Sequence, residues 1–239
     1  MDTKMDATIA AARGDHPVDL LLTNARLVNV FNGRIMETAV AVADGVVVGF
    51  GDTYSAERTV DLGGRYLLPG FIDSHLHIES AMTGITEFCR AVLPHGTTTV
   101  VADPHEIANV LGVTGIQYML DSAAGQPMDL RFSLPSCVPA THMETAGARL
   151  EAADLAQFFD HPRIMALAEM MNFPGVISGD PGVLAKITAS HEARKPVDGH
   201  APGLSGPQLN AYLSAGISSD HECTDLAEAA EKLAAGMHI

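Results

Sequence analysis

The sequence predicts an α/β fold: a (β/α)8 TIM-type barrel, incomplete here at about six strands, behind a small β unit. Three observations carry that expectation. Residues 18–68 are short β-branched runs broken by turn dipeptides, whereas from residue 69 strand-like and helix-like stretches alternate. The alternation repeats six times in a row, which favours a barrel over an open sheet. Histidines and carboxylates collect at the C-terminal ends of the strand-like stretches, the rim where such barrels build their sites. The chain therefore divides into an N-terminal segment with a small β portion, 1–68, and a partial barrel, 69–239.

Taken in order, MDTKMDATIAAARGDHP has the spacing of a short amphipathic helix ended by Gly14 and Pro17. VDLLLTNARLVNV, ETAVAVADGVVVGFGD and RTVDLGGRYLLPG then read as strands. Asn32-Gly33 and Asp44-Gly45 are their tight turns, so this stretch should be a small antiparallel unit. The barrel strands are FIDSHLHI, TTTVVAD, RFSLPSCV, RIMALAEMM, PVDGHA and GISSDHE. Helical patterns follow them in TGITEFCRAVLPHG, EIANVLGVTGIQYMLDSAAG, EAADLAQFFDH, PGVLAKITASHEAR, SGPQLNAYLSAG and DLAEAAEKLAAG. Met237-His238-Ile239 looks like the opening of a seventh strand. The chain is thus expected to be cut short of the eight strands that a closed barrel needs.

Hydrophobic residues make up 47% and charged residues 18%, the composition of a folded soluble protein with a core. A net charge of −15 is repelled by nucleic-acid backbones and anionic membranes, so neither is an expected partner; a neutral nucleobase-sized molecule is unaffected. The N-terminus lacks the apolar stretch of a signal peptide, and no apolar run reaches the roughly 18 residues of a membrane span. Cys89, Cys137 and Cys223 form no CxxC pair, which suits free thiols in a reducing cytoplasm.

The chemistry starts at His75-Leu76-His77, which closes the first barrel strand. Residues i and i+2 of a strand face the same way, so both imidazoles converge on one ion while Leu76 packs outward. Two satisfied polar residues at a strand end would look similar, but the buried-strand pattern and Pro69-Gly70 before them favour ligands. Glu169 ends an apolar run with Met170 and Met171 behind it, so it should be buried and in need of a cation, a metal or an arginine. His200 in VDGHAPG and His221 in SSDHE occupy the matching ends of the fifth and sixth strands, which favours ligation. Glu79 and, in ADPHEIANV, Asp103, His105 and Glu106 lie at the same rim. Either they orient substrate or the ligands, or they open a helix whose dipole favours acids. His16, His95, His142, His161, His191 and His238 fall on helices or linkers and read as solvated or structural.

PGFIDSHLHIES, HGTTTVVADPHEIANV, ALAEMMNFPGV, DGHAPGLSG and SSDHE together resemble the bacterial adenine deaminase family of the amidohydrolase superfamily, over about residues 20 to 239. PGFID-H-H alone marks the superfamily; the other segments narrow the match. The resemblance implies an amidohydrolase-type barrel, a small β-sandwich built from both termini, and two divalent ions, Mn2+ or Fe2+, with Zn2+ an alternative. It implies that His75 and His77 bind the first ion, that Glu169 bridges, and that His200 and His221 bind the second. It further implies hydrolytic deamination of adenine to hypoxanthine and ammonia by a metal-activated hydroxide, for purine salvage. The proton-carrying aspartate of that family ends the eighth strand and is expected beyond residue 239, and the full-length protein is expected to be a homo-oligomer. Two alternatives stay open: another amidohydrolase such as a cyclic amidase, against which Glu169 in place of a lysine counts, or a truncated chain without activity of its own.

Overall fold

The structure is a computed structural model that describes residues 3–239; the first two residues of the expected N-terminal helix lie outside the described residues. The chain splits into two compact units, Met1–Pro69 and Gly70–Ile239.

The first unit holds helix α1 (Thr3–Arg13) and strands β1 (Val18–Asn29), β2 (Arg34–Ala43), β3 (Val46–Phe50), β4 (Ala56–Asp61) and β5 (Tyr66–Leu67). Helix α1 buries Ala11 and exposes most of its other residues, so it is less amphipathic than its spacing implies. Strands β1, β2 and β3 pair antiparallel in sequence order. Asp44 and Gly45 join β2 to β3 with φ of 51° and 73°, the mirror-image turn that Asp-Gly favours. Strands β4 and β5 instead run parallel to β1, giving the order β3-β2-β1-β4, so the expectation of an antiparallel unit is corrected to a mixed sheet. Turn dipeptides report pairing between sequence neighbours, whereas the chain here leaves one edge and returns on the far side of β1.

In the second unit β6 (Phe71–Leu76), β7 (Thr97–Ala102), β8 (Asp129–Pro135), β9 (Ile164–Met170) and β10 (Val197–Gly199) form a parallel sheet in sequential order. A doubly wound sheet reverses its order at a switch point; an arc of barrel does not. Parallel bridges continue the order, Val197 to Ile217 and Ser219 to His238. The sixth strand-like stretch is thus present as bridges only, since Gly216, Ser218 and Ser219 offer little apolar surface to pack. Helices α2 (Ile85–Val92), α3 (His105–Leu111), α4 (Val113–Ser122), α5 (Ala152–Ala156), α6 (Phe173–Ser178), α7 (Pro181–Glu192), α8 (Gly206–Ser214) and α9 (Leu226–Ala234) fill the connections. One helix was expected over 106–125; two are present, because Gly112 adopts φ 59° and ψ −138°, a conformation that glycine alone takes readily.

The core of this unit packs Leu130, Phe132, Leu134, Ile164 and Leu167 from the strands against Ile116, Leu155, Ile187 and Tyr212 from the helices. Strands β8 and β9 are almost continuously buried, as parallel strands covered on both faces must be. Among the described residues no helix is long and apolar enough to cross a membrane, and the three cysteines are free.

Candidate metal centre

Four of the five strands of the second unit, all but β8, deliver a titratable side chain to the cluster at or just past their C-terminal ends, where side chains are released from the core. His75 lies in β6 and His77 just past it, Asp103 follows β7, Glu169 is the penultimate residue of β9, Asp198 lies in β10 and His200 just past it, and His221 follows the Ser219 bridge. Glu169 has φ 28°, a left-handed conformation that costs a residue with a side chain about 1–3 kcal/mol and persists where the surroundings enforce it. Those surroundings are visible. The Ser136 hydroxyl donates to the Glu169 carbonyl at 2.7 Å, and the Met171 N–H donates to it at 2.6 Å.

The Glu169 carboxylate, 2% exposed, is ringed by imidazoles. Its Oε1 lies 2.7 Å from His75 Nε2, 3.1 Å from His77 Nε2 and 3.5 Å from His221 Nε2. Its Oε2 lies 3.4 Å from His200 Nδ1 and 3.7 Å from His105 Nδ1. The structure therefore brings all five of the foremost sequence candidates together, and Glu169 meets imidazoles where an arginine was the alternative. Asp103 and His105 join the same cluster, 2.8 Å apart. Glu79 and Glu106 do not: Glu79 Oε1 accepts the Ile107 N–H at 3.2 Å in the first turn of α3, and Glu106 accepts the Ser80 hydroxyl.

His105 and Asp103 Oδ2 are hydrogen-bonded, but several other close approaches here are not well-aligned hydrogen bonds. His75 Nε2, His200 Nδ1, His221 Nδ1, Glu169 Oε2 and Asp103 Oδ1 are all buried without a well-aligned partner. Ligand-type atoms crowded into one buried space without aligned partners are what a cation satisfies. The potential ligand atoms fall into overlapping sets, each within 4.8 Å: His77, Asp103, His105 and Glu169; His75, Glu169 and His221; His200, His221 and Glu222. Imidazole and carboxylate donors of this kind suit first-row divalent ions.

The electrostatics agree. Burial alone would raise the Glu169 carboxyl, but His200, His221, His75 and His77 around it hold it far below the usual carboxylate range. Burial likewise opposes charge on His75 and His221, yet Asp198 and Glu169 hold them up at about 9 and about 10. Glu169 holds His77 up at about 9. In the absence of metal, protons on the imidazoles supply the positive charge that the carboxylates require, and a bound cation displaces them.

Two features were not singled out in the sequence. Asp198 Oδ2 lies 3.4 Å from His75 Nδ1 and 3.5 Å from His221 Nδ1, while its Oδ1 accepts the Ser219 hydroxyl at 2.6 Å. The i, i+2 rule that pairs His75 with His77 also sets Asp198 beside His200, so the signal was present. Behind the rim, fully buried Lys232 donates to Asp220 Oδ2 at 2.7 Å, Glu228 Oε1 at 2.6 Å and the Ala201 carbonyl at 2.8 Å. Asp220 in turn accepts the Ala201 and Glu222 N–H groups at 3.1 and 2.8 Å. This network fastens the residue after His200 to the residues flanking His221. Tyr212 ties the neighbouring strand ends, donating to the Met170 carbonyl at 2.8 Å and accepting the His200 N–H at 3.1 Å.

Known proteins resemble this chain in sequence and fold. The model of the amidohydrolase family matches residues 66–239. An adenine deaminase of Desulfatibacillum aliphaticivorans is 59% identical over 98% of this chain and 41% of its own length. One of Dehalococcoides mccartyi (strain CBDB1) is 53% identical over 100% of this chain and 42% of its own. The chain thus spans about two fifths of the length of the curated relatives it matches. Among solved structures, the atrazine chlorohydrolase TrzN of Arthrobacter aurescens, complexed with zinc, superposes with a TM-score of 0.64 at 16% identity, over 91% of this chain and 64% of that one. The N-acyl-D-glutamate deacylase of Bordetella bronchiseptica does so with 0.61 at 16% identity, over 92% and 55%. At such identities the likeness speaks for the fold.

Proposed function

The chain belongs to the amidohydrolase family, and from that premise we propose that its rim cluster holds two divalent ions for the hydrolytic deamination of adenine to hypoxanthine and ammonia. The observation that carries this reading is the convergence of His75, His77, His200 and His221 on one buried carboxylate, Glu169. The substrate is taken from the relatives named adenine deaminase, whose identity of 53–59% runs along almost the whole chain.

In this reading His75 and His77 would hold the first ion, His200 and His221 the second, and Glu169 would serve both. Mn2+ or Fe2+ are the favoured ions, and Zn2+ also suits the donors. Divalent ions in such a site supply a water that ionises near neutral pH. The remaining work belongs to the chain itself. Asp198 faces Nδ1 of both His75 and His221, which favours the tautomer that leaves their Nε2 atoms free to ligate. The Lys232–Asp220 network holds the His200 and His221 loops in register. A neutral purine is a substrate that a net charge of −15 does not repel, and purine salvage in a reducing cytoplasm, where three free thiols persist, is the physiological setting.

Glu169→Gln keeps the shape of the side chain and removes its charge. Metal content by elemental analysis, and ammonia release from adenine by the full-length protein, should fall together by about tenfold or more. Metal content at the parent level would overturn the bridging role. Faster turnover of a cyclic amide than of adenine by the manganese-loaded full-length protein would overturn the substrate.

A further inference from the structure

We propose that Asp103 and His105 are themselves ligands of a divalent cation, held together with His77 and Glu169, so that the centre reaches onto the end of β7 beyond the five residues assigned above. This assignment rests on the rim being a metal centre.

The first observation is burial without satisfaction. Asp103 is 1% exposed and Glu169 2% exposed, and each has one carboxylate oxygen, Oδ1 and Oε2, without a hydrogen-bond partner. A buried carboxylate oxygen without donor or cation is expensive, and two facing one space are more so. The second is the tautomer of His77. Its Nδ1 lies 2.9 Å from the Asp103 carbonyl oxygen, which can only accept. Nδ1 therefore carries hydrogen, which leaves Nε2, 3.1 Å from Glu169 Oε1, as the atom that can ligate. The third is the placement of His105. Its Nδ1 sits 2.8 Å from Asp103 Oδ2 and 3.7 Å from Glu169 Oε2, between the two carboxylates.

A protonated His105 is the competing explanation. One proton between His105 Nδ1 and Asp103 Oδ2 would leave Asp103 Oδ1 and Glu169 Oε2 as bare as before. A divalent cation balances both carboxylates and offers a partner to the bare oxygens of Asp103 and Glu169. The four ligand atoms lie within 4.8 Å of one another, a spread compatible with first-row ions bonded at about 2.0–2.2 Å. The β-sheet supplies the placement: the Asp103 N–H donates to the Leu76 carbonyl at 2.9 Å, which sets the β7 end beside His77.

The test uses Co2+ as the probe. Uptake by the metal-depleted parent chain, Asp103→Asn and His105→Ala is measured by equilibrium dialysis, with circular dichroism verifying the fold. Each variant should bind one cation at least tenfold more weakly while the others bind as in the parent. Asp103→Cys adds a readout that a supporting role cannot give: a thiolate bonded directly to Co2+ shows a near-ultraviolet charge-transfer band, absent from the parent. Parent-like uptake by both variants overturns the assignment, as does weakened uptake without the band, which makes Asp103 a positioning residue. A parent chain that takes up no Co2+ defeats the metal reading of the whole rim, and is thereby distinguished from a failure of this assignment alone.

Discussion

Asp198 is a single carboxylate with an imidazole on either side, His75 at 3.4 Å and His221 at 3.5 Å. Both rings present Nδ1 to it, so one residue governs the tautomer and rotation of two candidate ligands. Asp198→Asn keeps the volume but can accept through one atom only. With its oxygen in the place of Oδ2 and its nitrogen toward Ser219, both imidazoles face a neutral acceptor in place of a charged one. Divalent-metal affinity should drop about 10–100-fold with the fold intact, the usual cost of losing such support. Affinity within twofold of the parent, measured by dialysis, would remove Asp198 from the site. Strand alternation was enough to find His75 and His77 and would have found Asp198; the small residues Gly199 and Ala201 disguise the strand on which it lies. The φ of 28° at Glu169 was not legible. Nothing in RIMALAEMM announces a left-handed residue, because the conformation is imposed by Ser136 and the neighbouring backbone rather than by local preference.

At the level of elements, the β/α rhythm was legible because each strand and helix carries its own period, whereas the parallel return of β4 and the break at Gly112 depend on partners distant in sequence. Helix α9 makes the same point. Glu228 and Lys232 are spaced i, i+4, which in DLAEAAEKLAAG reads as an exposed helix pair. In the folded chain Lys232 is 0% exposed, because Asp220 and Ala201 cover it from the loop side. Burial would raise the Glu228 carboxyl, but Lys232 and the N–H groups of Thr224 and Gly203 overcome that and hold it at about 2. A carboxyl whose folded pKa is depressed contributes stability above its unfolded pKa, near 4.5, and loses it as pH falls through the folded value. The chain should therefore lose on the order of 2 kcal/mol through this group between about pH 4.5 and pH 2. Glu228→Gln should start less stable at neutral pH and lack that part of the acid limb. Urea denaturation at several pH values measures both curves; parallel acid limbs in parent and variant would show that Glu228 is not the titrating group.

For the whole molecule, the consequence of two units is unequal stability and an unequal response to metal. The first unit is centred on small side chains, Ala11, Val18, Leu21, Ala39, Ala41 and Ala43. The second packs Phe132, Leu134, Ile164, Leu167 and Tyr212 and carries the entire ligand cluster. Each buried methylene is worth about 0.8 kcal/mol, so the second core is the larger contributor even before a ligand binds. A cation that binds the native rim and not the unfolded chain adds RT ln(1 + [L]/Kd), about 2.7 kcal/mol at a free concentration a hundredfold above Kd. That energy must appear where the ligands are. Hydrogen exchange read peptide by peptide, with and without Mn2+, should slow about 100-fold in the most protected amides of β7, β8 and β9, which open only when the unit unfolds. Amides of β1 and β2 should exchange at the same rate in both conditions. The Glu169→Gln chain should show no slowing at that Mn2+ concentration in either unit. Equal slowing in both units would mean that the chain opens as one cooperative body. No slowing in β7 to β9 would mean that four imidazoles around a buried carboxylate bind no cation, and the crowding at the rim would need another cause.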